Sequence, residues 1–283
     1  MTFTLRRASG EPLMLTREHD ALTLPRKGTI AWESFSPTDF TPAQLAQARA
    51  LWKHRAFTEF HSLTLFTQLA TQVQLLGAPL DWSGAFARMV ADEVRHTELC
   101  LRMVRALGGD DTLSLDETQL QQPVEGSLRA HVRKVVLTAF CIGETLSGRM
   151  FKRCVEGATV PLAREVVIAI LVDETFHGEL GWELGALLMR PHEGFEAERA
   201  ALARELPQLI SQMASQCLVT RSPAWTRAQP EFDDGPGFGG LSSAGYARAF
   251  FDGMEEDVVP GLEAIGLPEA RGAWRDFLAG LPA

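Results

Sequence analysis

One segment of the chain is written nearly twice: Asp92-Glu93-Val94-Arg95-His96-Thr97-Glu98-Leu99, then Asp173-Glu174-Thr175-Phe176-His177-Gly178-Glu179-Leu180. Both copies lie in stretches whose apolar residues recur at helical spacing. On a helix, positions three apart are about 60° apart around the axis and one turn apart along it. Glu93 and His96 can therefore aim at one point, and so can Glu174 and His177. A fold that uses both pairs must bring two such helices to face each other, so that each supplies half of a metal site.

The order of elements fits that requirement. Thr41 can cap a helix with Pro42 at its first position, and residues 43–76 then run without Pro or Gly until Gly77-Ala78-Pro79 stops them. Asp81 or Ser83 is expected to cap a second helix ending at Leu107, where Gly108-Gly109 follow. A third is expected over 127–156 and a fourth over 162–189, parted by Gly157 and Pro161 and stopped by Pro191. The short loops join antiparallel neighbours. The longer polar segment 108–126 suits a crossover along the length of a bundle. The fold class expected is all-α: a ferritin-like four-helix bundle with a long crossover between its second and third helices and additional C-terminal helices. Residues 1–42 form an N-terminal extension with short extended or turn pieces, 43–190 the bundle, and 191–283 a C-terminal helical extension. In that extension a helix over 195–219 should break near Pro207, 221–245 reads as a loop or lid, and short helices close the chain near 246–256 and 269–278.

A redox di-metal site needs hard carboxylates to bridge and neutralise two ions, and one nitrogen ligand for each. Each remaining helix should add one carboxylate. Glu59, among Phe57, Thr58 and Phe60, stands 34 positions before Glu93, and Glu144, in Phe140-Cys141-Ile142-Gly143-Glu144, stands 30 before Glu174. The expected metal ligands are Glu59, Glu93, His96, Glu144, Glu174 and His177. A carboxylate buried without a partner or an ion is costly, and Glu144 in its apolar turn has no other evident purpose. Asp92 and Asp173 point about 100° away from the adjoining Glu and are expected to support the site by accepting the second ring N–H of a ligating His, Asp92 from His177 and Asp173 from His96. Arg95 can pair with either Asp or with water. Glu98 and Glu179 face elsewhere and are read as packing or surface polarity. His61 points away from Glu59, and His19, His54, His131 and His192 have no converging carboxylates.

The remaining composition excludes more than it assigns. A net charge of −9 is unlike a nucleic-acid surface. No apolar run reaches the ~18 residues of a spanning helix, and the start, MTFTLRRASGEP, has no secretory apolar core. Cys100, Cys141, Cys154 and Cys217 form no C-x-x-C pair and read as buried thiols in a reducing, cytoplasmic setting.

The six-residue pattern resembles the ferritin-like di-iron carboxylate superfamily over residues 43–190. Within it, Asp92-Glu93-Val94-Arg95-His96 with Cys100 is most similar to the hydroxylase subunits of bacterial multicomponent monooxygenases. The second copy keeps Asp173, Glu174 and His177 but has Phe176 in place of the arginine. Gly148 stands where those hydroxylases carry a threonine, the sole tyrosine, Tyr246, lies outside the bundle, and Ile170 occupies the place of an extra His in di-iron N-oxygenases. The resemblance implies two Fe ions, with Mn or a mixed Mn/Fe pair as alternatives. It implies an O2-activating oxidoreductase that hydroxylates, N-oxygenates or desaturates a small organic or acyl substrate, with an external electron donor such as a ferredoxin or reductase. Assembly as a homodimer is compatible with it. The alternatives are a ferroxidase or peroxide-consuming oxidase, and a non-catalytic metal-binding bundle. Phe140, Phe151 and Phe176 could line an apolar pocket or serve the core, and Gly148 could open space beside Glu144 or allow close helix packing.

Overall fold

The computed structural model describes residues 2–5, 14–233 and 235–283 of the chain, and the regular structure among them is helical apart from two short strands. Most of the start read for a leader, residues 6–13, lies outside them. The all-α expectation therefore holds. The chain divides into two compact units, residues 1–128 with 160–170 and residues 129–159 with 171–283.

The first unit holds strand β1 (Thr2–Leu5), helices α1 (Met14–Leu22), α2 (Pro42–Leu75) and α3 (Leu80–Ala106), strand β2 (Leu113–Asp116) and the short helix α4 (Glu117–Leu120). Thr41 caps α2 as expected. Its hydroxyl accepts from the Gln44 N–H, while the Gln44 side chain accepts from the Thr41 N–H at 2.9 Å, which satisfies two helix-end donors reciprocally. Neither Asp81 nor Ser83 caps α3. The helix starts one residue after Pro79 and takes both in, with Ser83 accepting from Gln74. Both long helices end on a glycine with positive φ, Gly77 at 75° and Gly108 at 73°. There the next N–H reaches back five residues, Ala78 to Val73 and Gly109 to Val104, a closure that favours glycine because a Cβ is strained at that φ.

α2 packs along α3. The buried positions of α3 at 86, 89, 93, 96, 100 and 103 alternate three and four residues apart, the spacing of a continuous helix seam. Trp52, Ala56, Phe66, Leu69 and Val73 are the apolar side of α2. Burial of each large apolar side chain contributes about 1.5–3 kcal/mol. Glu93 and His96 occupy two positions in that seam where Leu or Met would add to the core, so the fold gives up stability for them.

The crossover is more ordered than its polar sequence suggested. β2 pairs antiparallel with β1, Thr2 opposite Asp116 and Leu5 opposite Leu113, and buries Leu113 and Leu115 on one face. Gln68 on α2 fastens the same segment, donating to the Leu120 carbonyl at 2.8 Å and accepting from the Gln122 N–H at 3.1 Å.

The second unit departs further from expectation. The third long helix is not uniform: α5 (Leu128–Val135) runs into nine residues of π-helix, Val136–Glu144, and then α6 (Thr145–Gly157). Nothing in the apolar run Val136 to Ile142 marks this widening. It belongs with the close approach of α7 (Pro161–Leu188), where a Cβ on Gly181 would stand 2.8 Å from the Phe140 Cβ and 3.0 Å from its backbone carbon. Cys141 donates to the Gly181 carbonyl at 3.3 Å, and Trp182 to the Thr145 hydroxyl at 3.0 Å. Helix α8 (Phe195–Gln216) carries Pro207 without a break. That proline is exposed, so the helix carbonyl its ring leaves unpaired is open to water.

The segment 221–245 contains the short helix α9 (Pro223–Arg227), and the chain closes with α10 (Ser243–Gly253), a π-helical turn at Met254–Val258, α11 (Val259–Ala264) and α12 (Ala270–Ala279). This tail is part of the second unit. Arg149 on α6 pairs with Glu256 and Asp257, and Arg153 with Glu231 and Asp252. Phe250, Phe251, Trp274 and Phe277 form one aromatic cluster. Arg133, fully buried, donates to the Leu188 carbonyl and pairs with Glu198 and His192.

Candidate metal centre

Each unit gathers one set of the expected ligands. In the first, α2 supplies Glu59 and α3 supplies Glu93 and His96, all buried. His96 Nδ1 stands 3.4 Å from Glu59 Oε2 and 3.7 Å from Glu93 Oε2. In the second, the last π-helical residue supplies Glu144, and α7 supplies Glu174 and His177, again all buried. There His177 Nδ1 stands 3.6 Å from Glu144 Oε2 and 3.9 Å from Glu174 Oε1. The two sets use the same side-chain types and the same ring nitrogen, and their spacings differ by a few tenths of an ångström.

These spacings suit an ion. Two donors each about 2.1 Å from one metal stand about 3.0 Å apart at a right angle and about 3.6 Å apart at 120°. Two carboxylates with one imidazole neutralise a divalent cation and suit iron, manganese or zinc rather than a soft-metal site. Each set could hold a metal ion. Without one, two buried carboxylates beside each other oppose folding through desolvation and mutual repulsion.

Asp92 and Asp173 are both fully buried. Asp92 sits among arginines: Arg95 donates to Oδ1 at 2.7 Å, Arg26 donates to the same oxygen through Nε at 2.9 Å and through its terminal nitrogen, and Arg88 Nε lies 3.5 Å from Oδ2. Arg95 also donates to the Leu24 carbonyl at 2.8 Å, so residues 24–26 are fastened across the turn of α3 that carries Glu93 and His96. Arg88 and Arg95 are legible in the sequence, four before and three after Asp92 on one helix face. Arg26 carries no such signal, because only the fold brings it near.

The second Glu of each repeat differs between copies. Glu98 is buried, pairing with Arg105 at 2.5 Å and lying 3.6 Å from His19, whereas Glu179 is exposed. His61 is half-buried outside the ligand set, and burial, opposed by a hydrogen bond with the Gln119 backbone, lowers its pKa. Burial first, and then the charge of Glu59, push the Cys100 thiol well above its ordinary value. All four cysteines are buried free thiols. A Cβ on Gly148 would meet nothing within 4 Å, so this glycine marks open space rather than close packing.

Among the described residues, no helix is long and apolar enough to cross a membrane. A cavity of about 400 Å³ opens in the second unit among Leu218, Arg221, Trp225, Phe232 and Ser243, within the segment read as a lid. None of the proposed ligands lines it. No protein-family model, curated protein or solved structure matches this chain, so the site is read from its own geometry.

Proposed function

We propose that the two ligand sets each hold one iron ion and work as a pair in an O2-activating oxidoreductase. A ferritin-like bundle is the arrangement that would pair them. The observation that carries this reading is the matched geometry: two buried Glu–Glu–His sets, the imidazole Nδ1 within 3.4–3.9 Å of both carboxylates in each. One such set could be a structural ion site, but two copies on a duplicated sequence motif are what a two-ion redox centre requires. When bound, a pair of ferrous ions supplies electrons for the reduction of O2.

The protein's own groups would do the rest. Glu59, Glu93 and His96 would hold one ion, and Glu144, Glu174 and His177 the other. Asp92, gripped by Arg95 and Arg26, fixes the rotation of the helix turn from which Glu93 and His96 project. The open space beside Gly148, one turn past Glu144, would admit a small organic or acyl substrate, and the buried side chains around the ligands would exclude bulk water. An external reductant would return the ions to the ferrous state.

The test is O2 uptake by the iron-loaded, reduced chain against a panel of small organic and acyl compounds. One compound is expected to accelerate uptake and to leave as a hydroxylated, N-oxygenated or desaturated product. Uptake that depends only on the iron supplied and ends in a ferric mineral would replace this reading with iron oxidation.

A further inference from the structure

The cavity of about 400 Å³ in the second unit has walls that are fastened before any ligand arrives. Arg248 donates to the Gln229 carbonyl and to the Glu231 carboxylate, both at 2.8 Å. The Ser242 hydroxyl donates to the Pro230 carbonyl at 2.7 Å, and the Ser222 N–H to the Pro282 carbonyl at 2.8 Å. Small-molecule sites are largely pre-formed hollows of about 300–1,000 Å³, and this cavity falls in that range.

Its lining carries donors that the fold does not use. Ser242 caps α10, an eleven-residue helix, by accepting from the Gly245 N–H at 3.0 Å. The N–H groups of Ser243 and Ala244, at the start of that helix, have no acceptor among the described residues. Such a helix start favours negative charge. Arg221 lines the same cavity. It meets the main-chain oxygen of Ala283 at 3.4 Å and the Trp225 ring, 5.9 Å from its centre, and has no carboxylate side chain within ion-pair distance among the described residues. Thr226 also lines the cavity although it is only 1% exposed, and its hydroxyl has no hydrogen-bond partner among the described residues. A buried hydroxyl left without a partner is costly, and a ligand oxygen would relieve it.

The apolar part of the lining is equally distinct. Leu218, Trp225 and Phe232 are exposed around this one cavity, where a flat ligand body would cover them. Asp233 lines it too, with no ion pair among the described residues. Its charge opposes a doubly charged anion more than a singly charged one. We infer that the cavity binds a small organic monocarboxylate with a flat apolar body, the carboxylate on Arg221 and the start of α10, the body against Trp225, Phe232 and Leu218. None of the proposed metal ligands lines the cavity, so the inference does not rest on the proposed function.

The full-length, metal-free chain is titrated with phenylacetate and followed by ligand-observed NMR. Phenylacetamide, which keeps the shape without the charge, and inorganic phosphate, which keeps charge without the apolar body, are titrated in parallel. Phenylacetate is expected to bind with a Kd at or below about 1 mM, at least about tenfold tighter than the amide, and phosphate should not displace it. Arg221→Gln alters an exposed side chain and should erase the preference for the acid while the amide binds as before. Trp225→Ala should weaken acid and amide alike. Asp233→Asn should tighten phenylacetate several-fold and leave the amide unchanged, a gain that a disturbed fold would not give. No binding of phenylacetate up to about 10 mM, equal binding of acid and amide, or displacement by phosphate overturns the inference. So does an undiminished preference for the acid in Arg221→Gln, or weaker binding of the acid in Asp233→Asn.

Discussion

Replacing Asp92 by asparagine keeps the shape of a buried carboxylate that meets three arginines and removes only its charge. Asp92 is fully buried and meets Arg26, Arg88 and Arg95, whose side chains are 36%, 39% and 5% exposed. Breaking a buried pair by removing one partner costs about 3–5 kcal/mol. Arg26 and Arg88 can turn to water, so each contributes at the surface scale of about 0–1 kcal/mol. Arg95 is nearly fully buried and its Nε stays bound to the Leu24 carbonyl, so the Nη1 that donates to Asp92 at 2.7 Å would face a neutral amide in place of a carboxylate. The loss expected in the apo-protein is therefore about 3 kcal/mol, the lower end of the buried range. With a urea slope of about 3 kcal/mol per molar, the unfolding midpoint should fall by about 1 M. Circular dichroism and tryptophan fluorescence would follow it, Trp52 being buried on α2. A shift below about 0.3 M would refute the cluster as a stabilising contact. So would a double-mutant cycle with Arg95→Gln showing no coupling.

Two glycines should respond in opposite directions. Gly181→Ala forces a Cβ against the Phe140 backbone and should cost about 1–3 kcal/mol while weakening metal retention by the second set, whereas Gly148→Ala meets open space and should be neutral or stabilising by up to about 1 kcal/mol in thermal unfolding. Leu218 ends α8 at φ 57°, with the Val219 N–H reaching back to Ala214. Leu218→Gly should therefore stabilise by about 0.5–1 kcal/mol in denaturant, and a loss would show that its side chain outweighs the strain. Burial pushes the Cys217 thiol up to about 12 and raises those of Cys100 and Cys141. Native protein at pH about 8 should therefore leave the cysteines unmodified by a thiol reagent that labels all of them after unfolding, and labelling of the native chain would contradict their burial.

The long helices were legible because their ends are written in local chemistry: Thr41 with Pro42, Gly77 and Gly108, Pro161. The two Glu–Glu–His clusters were legible because a three-residue step on a helix converts spacing into direction. What escaped depends on contacts distant in sequence. The π-helix at Val136–Glu144 answers to the approach of Gly181, 37 positions past Glu144. β2 needs β1 as its partner, so alternation over four residues could not announce it. Arg26 reaches Asp92 across 66 positions. Pro207 misled in the other direction: a proline signals a break, but an exposed helix face tolerates the loss of one hydrogen bond.

The central claim is that six side chains hold two ions. Elemental analysis of the chain after anaerobic loading with ferrous iron and removal of excess tests it most directly, with Mössbauer spectroscopy to identify the iron as bound. Two irons per chain are expected in the wild type and in His61→Ala, and a loss of stable two-ion occupancy in Glu144→Ala. Fewer than one iron per chain in the wild type, or a Glu144→Ala chain that keeps both while His61→Ala loses them, would contradict the account.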